Sequence, residues 1–451
     1  MMQKIKPSIL PGFMELLPRE QIIFKDMVEK ISKVYEKNGF VPIDTPLIEK
    51  EEILLAKSAG ETEKQVYRID KEKTKQALRF DLTVPFARYV AEHMNELTFP
   101  FRRYQLGKVY RGARNQKGRY REFYQLDLDI VNPRKLEVTH DAFVLSVAAE
   151  AFQAIGLKKY QFQISNRKLL GGLLETLQVM KQVEVMNWVD KYEKVGEEVC
   201  LREIEDLIGE PSSLWLKRFL EIKGSTQEVL AQLHAFSESL CREIALGENA
   251  LIEEESNALT KMNQGIKELE EVMSTLRVLG VKEEQLLIQL KIIRGLDYYT
   301  GTVFETFISG YEKYGSICSG GRYDELTHYY ASTPMPGVGL SIGMTRLFFV
   351  LKEIGFLENY PLEKTMTYLI CPLGDTLKTC VDIKNNLEQQ GLRGEIYLNK
   401  DSLKKQLSYA NAQSIPQVII VGQEEVQNHV FLLKDMGTGE QKQIPQNQIT
   451  F

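Results

Sequence analysis

The first sustained pattern along the chain is helical. In residues 22–40, "IIFKDMVEKISKVYEKNGF", apolar Phe24, Met27, Val28, Ile31, Val34 and Tyr35 recur at three- and four-residue spacing. Gly39 follows them and predicts a helix stop. The chain then turns extended. "FVPIDTPLIEK" carries Pro42 and Pro46, which suit a sheet edge or a chain interface better than a central strand. "VYRIDKEKTKQALRFDLTVPFARYVAEHM" predicts a hairpin followed by a helix. In "RRYQLGKVYRGARNQKGRYREFYQLDLDIV", apolar and polar residues alternate on both sides of a long basic loop, the pattern of two strands. A helix over "VTHDAFVLSVAAEAFQAIG" and a strand at "YQFQIS" come next.

From about residue 170 to 285 the strand signal fades, and Leu, Glu and Lys recur at helical spacing, which predicts a helical insertion. Strands resume in "RGLDYYTGTVFETFI", "GSICSGGRYDEL" and "GVGLSIGMTRLFFVLKEIG". "LENYPLEKT" (357–365) reads as a linker. Beyond it, apolar "MTYLICPL", "EIYL" and "QVIIVG" alternate with helical "DTLKTCVDIKNNLEQQG" and "DSLKKQLSYANAQS". That β-α-β-α-β order implies a small α/β domain with parallel strands. "VFLLKDMGTGEQKQI" closes it as a hairpin.

Composition adds exclusions. The 451 residues are 43% hydrophobic and 26% charged, which argues against disorder. No apolar run approaches the ~18 residues of a membrane span, and "MMQKIKPSILPGFMELLP" has no apolar core for a signal peptide. The five cysteines and five histidines are scattered without CxxC, HxxH or HExxH, so a disulfide framework and a zinc site are both unsupported and a cytoplasmic location is expected. The net charge of −5 does not favour a nucleic-acid partner, so that case rests on where the basic residues sit.

Four stretches carry candidate chemistry. In "YRGARNQKGRYREFYQLDLDI", Arg111, Arg114, Lys117, Arg119 and Arg121 crowd one turn, with Tyr120, Phe123 and Tyr124 among them. Guanidinium forks match phosphate oxygens, and an aromatic face stacks on a purine. The alternative is a solvated basic hairpin. In the strand that follows, Gln125, Asp127 and Asp129 share one face at period two, a polar stripe that asks for a ligand. In "LRFDLTVPFARY", Asp81 and Thr83 suit an ammonium group or, equally, a helix N-terminus. "RGLDYYTGTVFE" and "CSGGRYD" set Arg294, Tyr298, Tyr299 and Tyr323 beside Gly320 and Gly321, which permit close backbone approach or a tight turn. "PGVGLSIGMTR" lacks GK[ST] and the Rossmann pattern. Its glycines and Arg346 fit a nucleotide floor or close strand packing.

Together these stretches resemble the class II aminoacyl-tRNA synthetases, and within them the histidyl-tRNA synthetase family. "VYRGARNQKGRYREFYQLDLDI" is similar to class II motif 2, "GVGLSIGMTRL" to motif 3 and "GFVPIDTPLIE" to the dimer-interface motif 1. "RGLDYYTGTVFE" and "CSGGRYD" are similar to the family's two own signatures, and the C-terminal segment resembles an anticodon-binding domain. The resemblance implies an α/β chain: an α+β catalytic domain on an antiparallel sheet, a helical insertion and a C-terminal α/β domain. The catalytic parts would span residues 1–170 and 286–358, the insertion 171–285 and the anticodon-binding domain 365–451. It implies ATP with Mg2+ bound to the nucleotide and no protein-only metal site. L-histidine and tRNA(His) would be the partners, in a cytoplasmic homodimer. Arg111, Arg119, Phe123 and Arg346 would bind ATP. Asp81, Thr83 and Gln125 would take the histidine α-amino group, and Asp129, Tyr299 and Tyr323 the imidazole side. Arg294 would meet the α-phosphate, where other class II members use a metal. Period two along the strand would turn Tyr299 to the ligand, with Asp297, and Tyr298 to the packing side. Lys400, Lys404 and Lys405 are candidates for tRNA contact. A related non-aminoacylating paralogue, a regulatory subunit of ATP phosphoribosyltransferase, is the alternative.

Overall fold

The computed structural model describes residues 6–56, 61–71, 73–113, 117–246, 253–292, 298–330, 333–362 and 366–446. The chain divides into two compact units, Met1–Glu358 and Asn359–Phe451.

The strands of the first unit are β1 (Val41–Pro42), β2 (Ile48–Lys50), β3 (Arg68–Ile69), β4 (Gln76–Leu78), β5 (Phe101–Tyr110) and β6 (Glu122–Val131). β7 (Tyr160–Asn166), β8 (Leu286–Ile288), β9 (Thr302–Ile308), β10 (Cys318–Tyr323) and β11 (Gly337–Gly343) follow. Eight of them form one sheet in the order β1-β5-β6-β11-β10-β9-β7-β8. Its interior pairs are antiparallel, and only the edge pairs β1–β5 and β7–β8 are parallel. β2, β4 and β3 make a small separate sheet. Pro42 lies on edge strand β1, where no interior ladder needs its missing N–H.

Alternation along β6 divides the sheet into two chemically different faces. Leu126, Leu128 and Ile130 point to one side and are fully buried. That side is covered by helices. The helix Pro18–Lys37 buries Phe24, Met27, Ile31, Val34 and Tyr35 of the predicted apolar stripe, together with Ile23, while Val28 is only half-buried. The helix Thr139–Ala154 is pinned to β10 by charge. Arg322 donates to Asp141 through Nε (3.1 Å) and Nη2 (2.8 Å), and its Nη1 donates to the Leu136 carbonyl (2.9 Å). Gln125, Asp127 and Asp129 point to the other side.

Among the described residues from Arg167 to Val278 the chain is helical throughout, with six helices. Two of them, Arg167–Thr176 and Glu253–Val278, pack together closely. A Cβ on Gly172 would lie 2.6 Å from the Met262 backbone nitrogen, so this approach needs glycine.

In the second unit, β12 (Tyr368–Pro372), β13 (Gly394–Ile396), β14 (Gln417–Val421), β15 (Val430–Asp435) and β16 (Gln441–Pro445) form a sheet ordered β13-β12-β14-β15-β16. β12 is parallel to both β13 and β14, and the closing hairpin is antiparallel. Both faces are covered. Tyr368, Ile370, Ile419 and Val421 join Ile383 and Leu387 on one side, while Leu369, Cys371, Val418 and Ile420 join Ala410 on the other. Parallel strands buried on both faces read as continuous apolar runs, as "YLIC" and "VIIV" do.

Asp141→Ala would leave the buried Arg322 guanidinium without its carboxylate. We expect a loss of about 3–5 kcal/mol, read as a lower urea midpoint. Asp141→Asn should lose less, because its amide oxygen still accepts one bond.

Candidate active site

The site is built on the polar face of β6, and its register sets each opposing group. Gln125 faces Gly343, Asp127 faces Ser341 and Asp129 faces Gly339 on β11. On the other side, Gly107, Gln105 and Arg103 of β5 stand opposite the same three residues.

Asp129 is held from both flanks. The Tyr323 hydroxyl donates to Oδ1 (2.8 Å). Arg103 Nη2 stands 2.5 Å from Oδ2, outside hydrogen-bond geometry, so the attraction is that of an ion pair. Arg103 is 0% exposed and lies over the Phe86 ring at 4.3 Å. Burial raises the Asp129 pKa, while Arg103 and Tyr323 oppose the rise. Asp127 has less support. Burial pushes it up to about 7; Arg103 and the Ser341 hydroxyl pull it down, and Asp129 and Asp81 push it further up. Asp81 accepts the Val84 N–H at the start of the helix Thr83–Glu92 (3.1 Å), yet burial still lifts it to about 6. It therefore caps the helix with one oxygen and keeps the other for something else.

Next to this acidic floor is a cavity of about 320 Å³ lined by Arg111, Arg119, Phe123, Gln125, Ser341 and Arg346, among others. Arg111 lies over Phe123 at 5.2 Å and donates through Nε to the Phe80 carbonyl (2.9 Å). Arg346, three residues into the helix Met344–Glu353, donates to the Ser316 carbonyl (2.9 Å). Burial, then Arg119 and Arg111, lower its pKa to about 10. Clustered guanidiniums beside an aromatic ring suit a planar, polyanionic ligand. Gln125 belongs to both halves, so the site is cationic on one side of it and acidic on the other.

Residues 12–347 match the family model for histidyl-tRNA synthetase, and residues 367–450 match that for an anticodon binding domain. The chain belongs to the histidyl-tRNA synthetase family. It is 55% identical to the histidine–tRNA ligase of Clostridium acetobutylicum, covering 98% of this chain and 99% of the relative. Identity to the Clostridium tetani histidine–tRNA ligase is 43%, with 97% and 96% covered. The crystal structure of histidyl-tRNA synthetase from Nostoc sp. PCC 7120 superposes with a TM-score of 0.84 at 35% identity, covering 98% and 97% of the two chains. An ATP phosphoribosyltransferase regulatory subunit/histidyl-tRNA synthetase from Bacillus halodurans C shares the fold, with a TM-score of 0.73 at 18% identity and 93% and 99% covered.

Of the residues that the resemblance to this family singles out, Arg111, Arg119, Phe123, Gln125 and Arg346 line one cavity. Asp81, Asp129, Tyr299 and Tyr323 gather beside it. Tyr299 is half-buried, and desolvation, then Asp129, Asp127 and Asp81, raise its pKa. Tyr298 is 5% exposed, packs edge-on to Tyr323 (6.0 Å) and shares a hydrogen bond with Thr83. Arg294 and Asp297 lie outside the described residues. The tyrosines are not on a strand: β9 begins at Thr302. Before it, the chain is tied sideways by Thr300, which donates through N to the Arg322 carbonyl (2.8 Å) and through its hydroxyl to Asp324 (2.5 Å). The expectation that period two separates the two rings is therefore corrected, although one is packed and the other stands among the aspartates.

The basic loop also divides. Lys117 pairs with Glu353 (2.5 Å) and Arg121 donates through Nε to the Ala113 carbonyl (3.4 Å), and neither lines the cavity. The sequence pattern missed Arg103 and Ser341. Arg103 hides inside "FRRYQ", where two adjacent arginines look like a solvated strand end.

The Asp127 pKa predicts a pH signature. Its carboxyl is raised from the ordinary value near 3.8 to about 7 on folding. Its stability contribution is full below about 4 and is lost as pH rises through about 7. Relative to wild type, Asp127→Asn should therefore gain thermal stability between pH 5 and pH 8. A melting-temperature difference independent of pH would refute this.

Proposed function

We propose that the chain is an ATP-dependent histidine–tRNA ligase, which joins L-histidine to ATP as histidyl-adenylate and passes it to the 3′ end of tRNA(His). The observation that carries the reading is the two-sided site: three arginines and Phe123 around a cavity on one side of Gln125, and three buried aspartates on the other. A nucleoside triphosphate matches the first side and the cationic end of an amino acid the second.

The chemistry follows from placement. The histidine carboxylate attacks the α-phosphorus, a P–O bond forms, and pyrophosphate leaves with the electrons of the broken P–O bond. No general base is required, because the nucleophile is already ionised. Negative charge grows on the phosphate oxygens, and positioned arginines stabilise it. Arg111 serves the α-phosphate, Arg346 and Arg119 the γ-phosphate, and Phe123 stacks on adenine. Arg294 adds its charge at the α-phosphate, on the strength of the "RGLDYY" signature. Mg2+ arrives with the nucleotide. Asp81, Thr83 and Gln125 take the α-amino group. Asp129 and Tyr299 hold the imidazole, and Tyr323 lines the same pocket and orients Asp129. A pocket built of such paired polar groups discriminates strongly, because an apolar analogue leaves them unsatisfied.

The second unit supports the tRNA partner, with exposed Lys400 and Lys404 as contacts; exposed Lys405 pairs with Asp401 (2.9 Å). A homodimer through the β1 edge is supported by exposed Val41, Leu47, Ile48 and Leu106. The reading as a regulatory subunit is disfavoured by the two clostridial relatives reported above, which are named as ligases and match over nearly their full length, and by the retained arginine cluster. No helix among the described residues is long and apolar enough to cross a membrane.

ATP–pyrophosphate exchange tested with each amino acid should respond to histidine alone; exchange with none would sink the ligase reading. Arg346→Ala should raise KM for ATP about 10- to 100-fold, the scale of a charge-assisted hydrogen bond, with KM for histidine little changed. Arg294→Ala should cut the adenylation rate severely at a nearly constant histidine affinity. An unchanged rate would remove Arg294 from the transition state.

A further inference from the structure

Four acceptor atoms in the acidic half have no hydrogen-bond donor among the described residues: Asp129 Oδ2, which Arg103 faces as an ion pair, and a group of three, Asp81 Oδ2, Gln125 Oε1 and Asp127 Oδ1. All three are buried, and Asp81 and Asp127 are each only 2% exposed. Buried acceptors without donors are costly, so their co-location asks for a group that supplies protons to all of them.

The local bonding explains why these atoms are free. Gln125 Nε2 donates to Ser341 Oγ (2.7 Å), and the Ser341 hydroxyl donates onward to Asp127. That chain spends the amide nitrogen of Gln125 and leaves its Oε1 without a partner. It also spends one side of the Asp127 carboxylate and leaves Oδ1. Asp81 spends Oδ1 on the Val84 N–H and leaves Oδ2. Asp129 differs, because Tyr323 and Arg103 already engage its two oxygens. The Thr83 hydroxyl already bonds to Tyr298, although its oxygen can still accept a further hydrogen bond from the same ligand.

An alkylammonium carries three N–H donors and no acceptor. We propose that Asp127 is a direct ligand of the amino-acid substrate, completing with Asp81 and Gln125 a three-oxygen cradle for its α-ammonium group. This rests on the reading that the chain activates histidine. It adds a residue that this reading leaves unused, and it gives the second carboxylate of the β6 stripe a task distinct from that of Asp129. A protonated amine would pair directly with Asp81 and Asp127, on which Arg103, and for Asp81 also Arg111, act without forming an ion pair among the described residues.

The test separates the ammonium from the ring. Dissociation constants are measured by titration calorimetry for histidine, for histidinol, which keeps the amine, and for 3-(imidazol-4-yl)propionate, which lacks it. Asp127→Asn should weaken histidine and histidinol at least tenfold and leave the propionate within about twofold, with KM for ATP unchanged. A merely structural role would weaken all three ligands together, and equal weakening would overturn the proposal. So would unchanged binding of histidine. If Asp127→Asn is not recovered folded, Asp127→Ser carries the same expectations. Failure of the wild type to exchange pyrophosphate with histidine would instead count against the ligase reading, so the two failures are distinguishable.

Discussion

Asp129 lies so close over Gly339 that a Cβ there would fall 2.0 Å from Oδ1. That contact is possible only because β6 and β11 pair in this register, and the rest of the site depends on it. With Asp129 flat on the neighbouring strand, Tyr323 reaches one oxygen from β10 and Arg103 reaches the other from β5. Slipping the pairing by one residue would send the polar stripe into the helical layer and Leu126, Leu128 and Ile130 to the ligand side. The apolar face therefore enforces the geometry of the polar one.

The site keeps its charges apart at a cost. Apart from Arg103, which pairs with Asp129, guanidiniums collect on one side of Gln125 and carboxylates on the other. Burial of unlike charges in separate places is unfavourable without their ligands, and the shifts at Arg346, Asp81 and Asp127 all run toward the neutral form. Substrates of complementary charge would relieve each side. Stability sacrificed in the free chain then becomes affinity for the right ligands. The Arg322–Asp141 pair on the opposite face does the reverse work. It pairs its charges fully and locks β10 to a helix.

Much of the fold was legible because the chain advertises its periods. The stripe from Phe24 to Tyr35 is helical in pattern and helical in the structure. Gln125, Asp127 and Asp129 alternate with leucines, and the strand that carries them is where the alternation puts it. Other features were illegible for physical reasons. Tyr298 and Tyr299 look like strand residues, but Thr300 bonds to Arg322 and Asp324 and bends the chain out of the ladder. Lys117 looks like a phosphate ligand, but Glu353 lies one helix away and claims it. Arg103 looks like an exposed base until the sheet closes over it.

The sequence by itself determined the element types, the two polar–apolar faces of β6, the α/β character of the C-terminal unit and the residue kinds fit for phosphate and ammonium. These are local properties, set by side-chain spacing and backbone preference. Only the tertiary structure decided which charges meet. Arg103 and Asp129 are 26 residues apart in the chain, and Asp129 and Tyr323 are 194 apart. Their contact depends on strand order and register, which arise from burying the whole apolar face at once. For the same reason, the division of labour among Asp81, Asp127 and Asp129 appears only after folding. Which oxygen is left free depends on neighbours that no local pattern names.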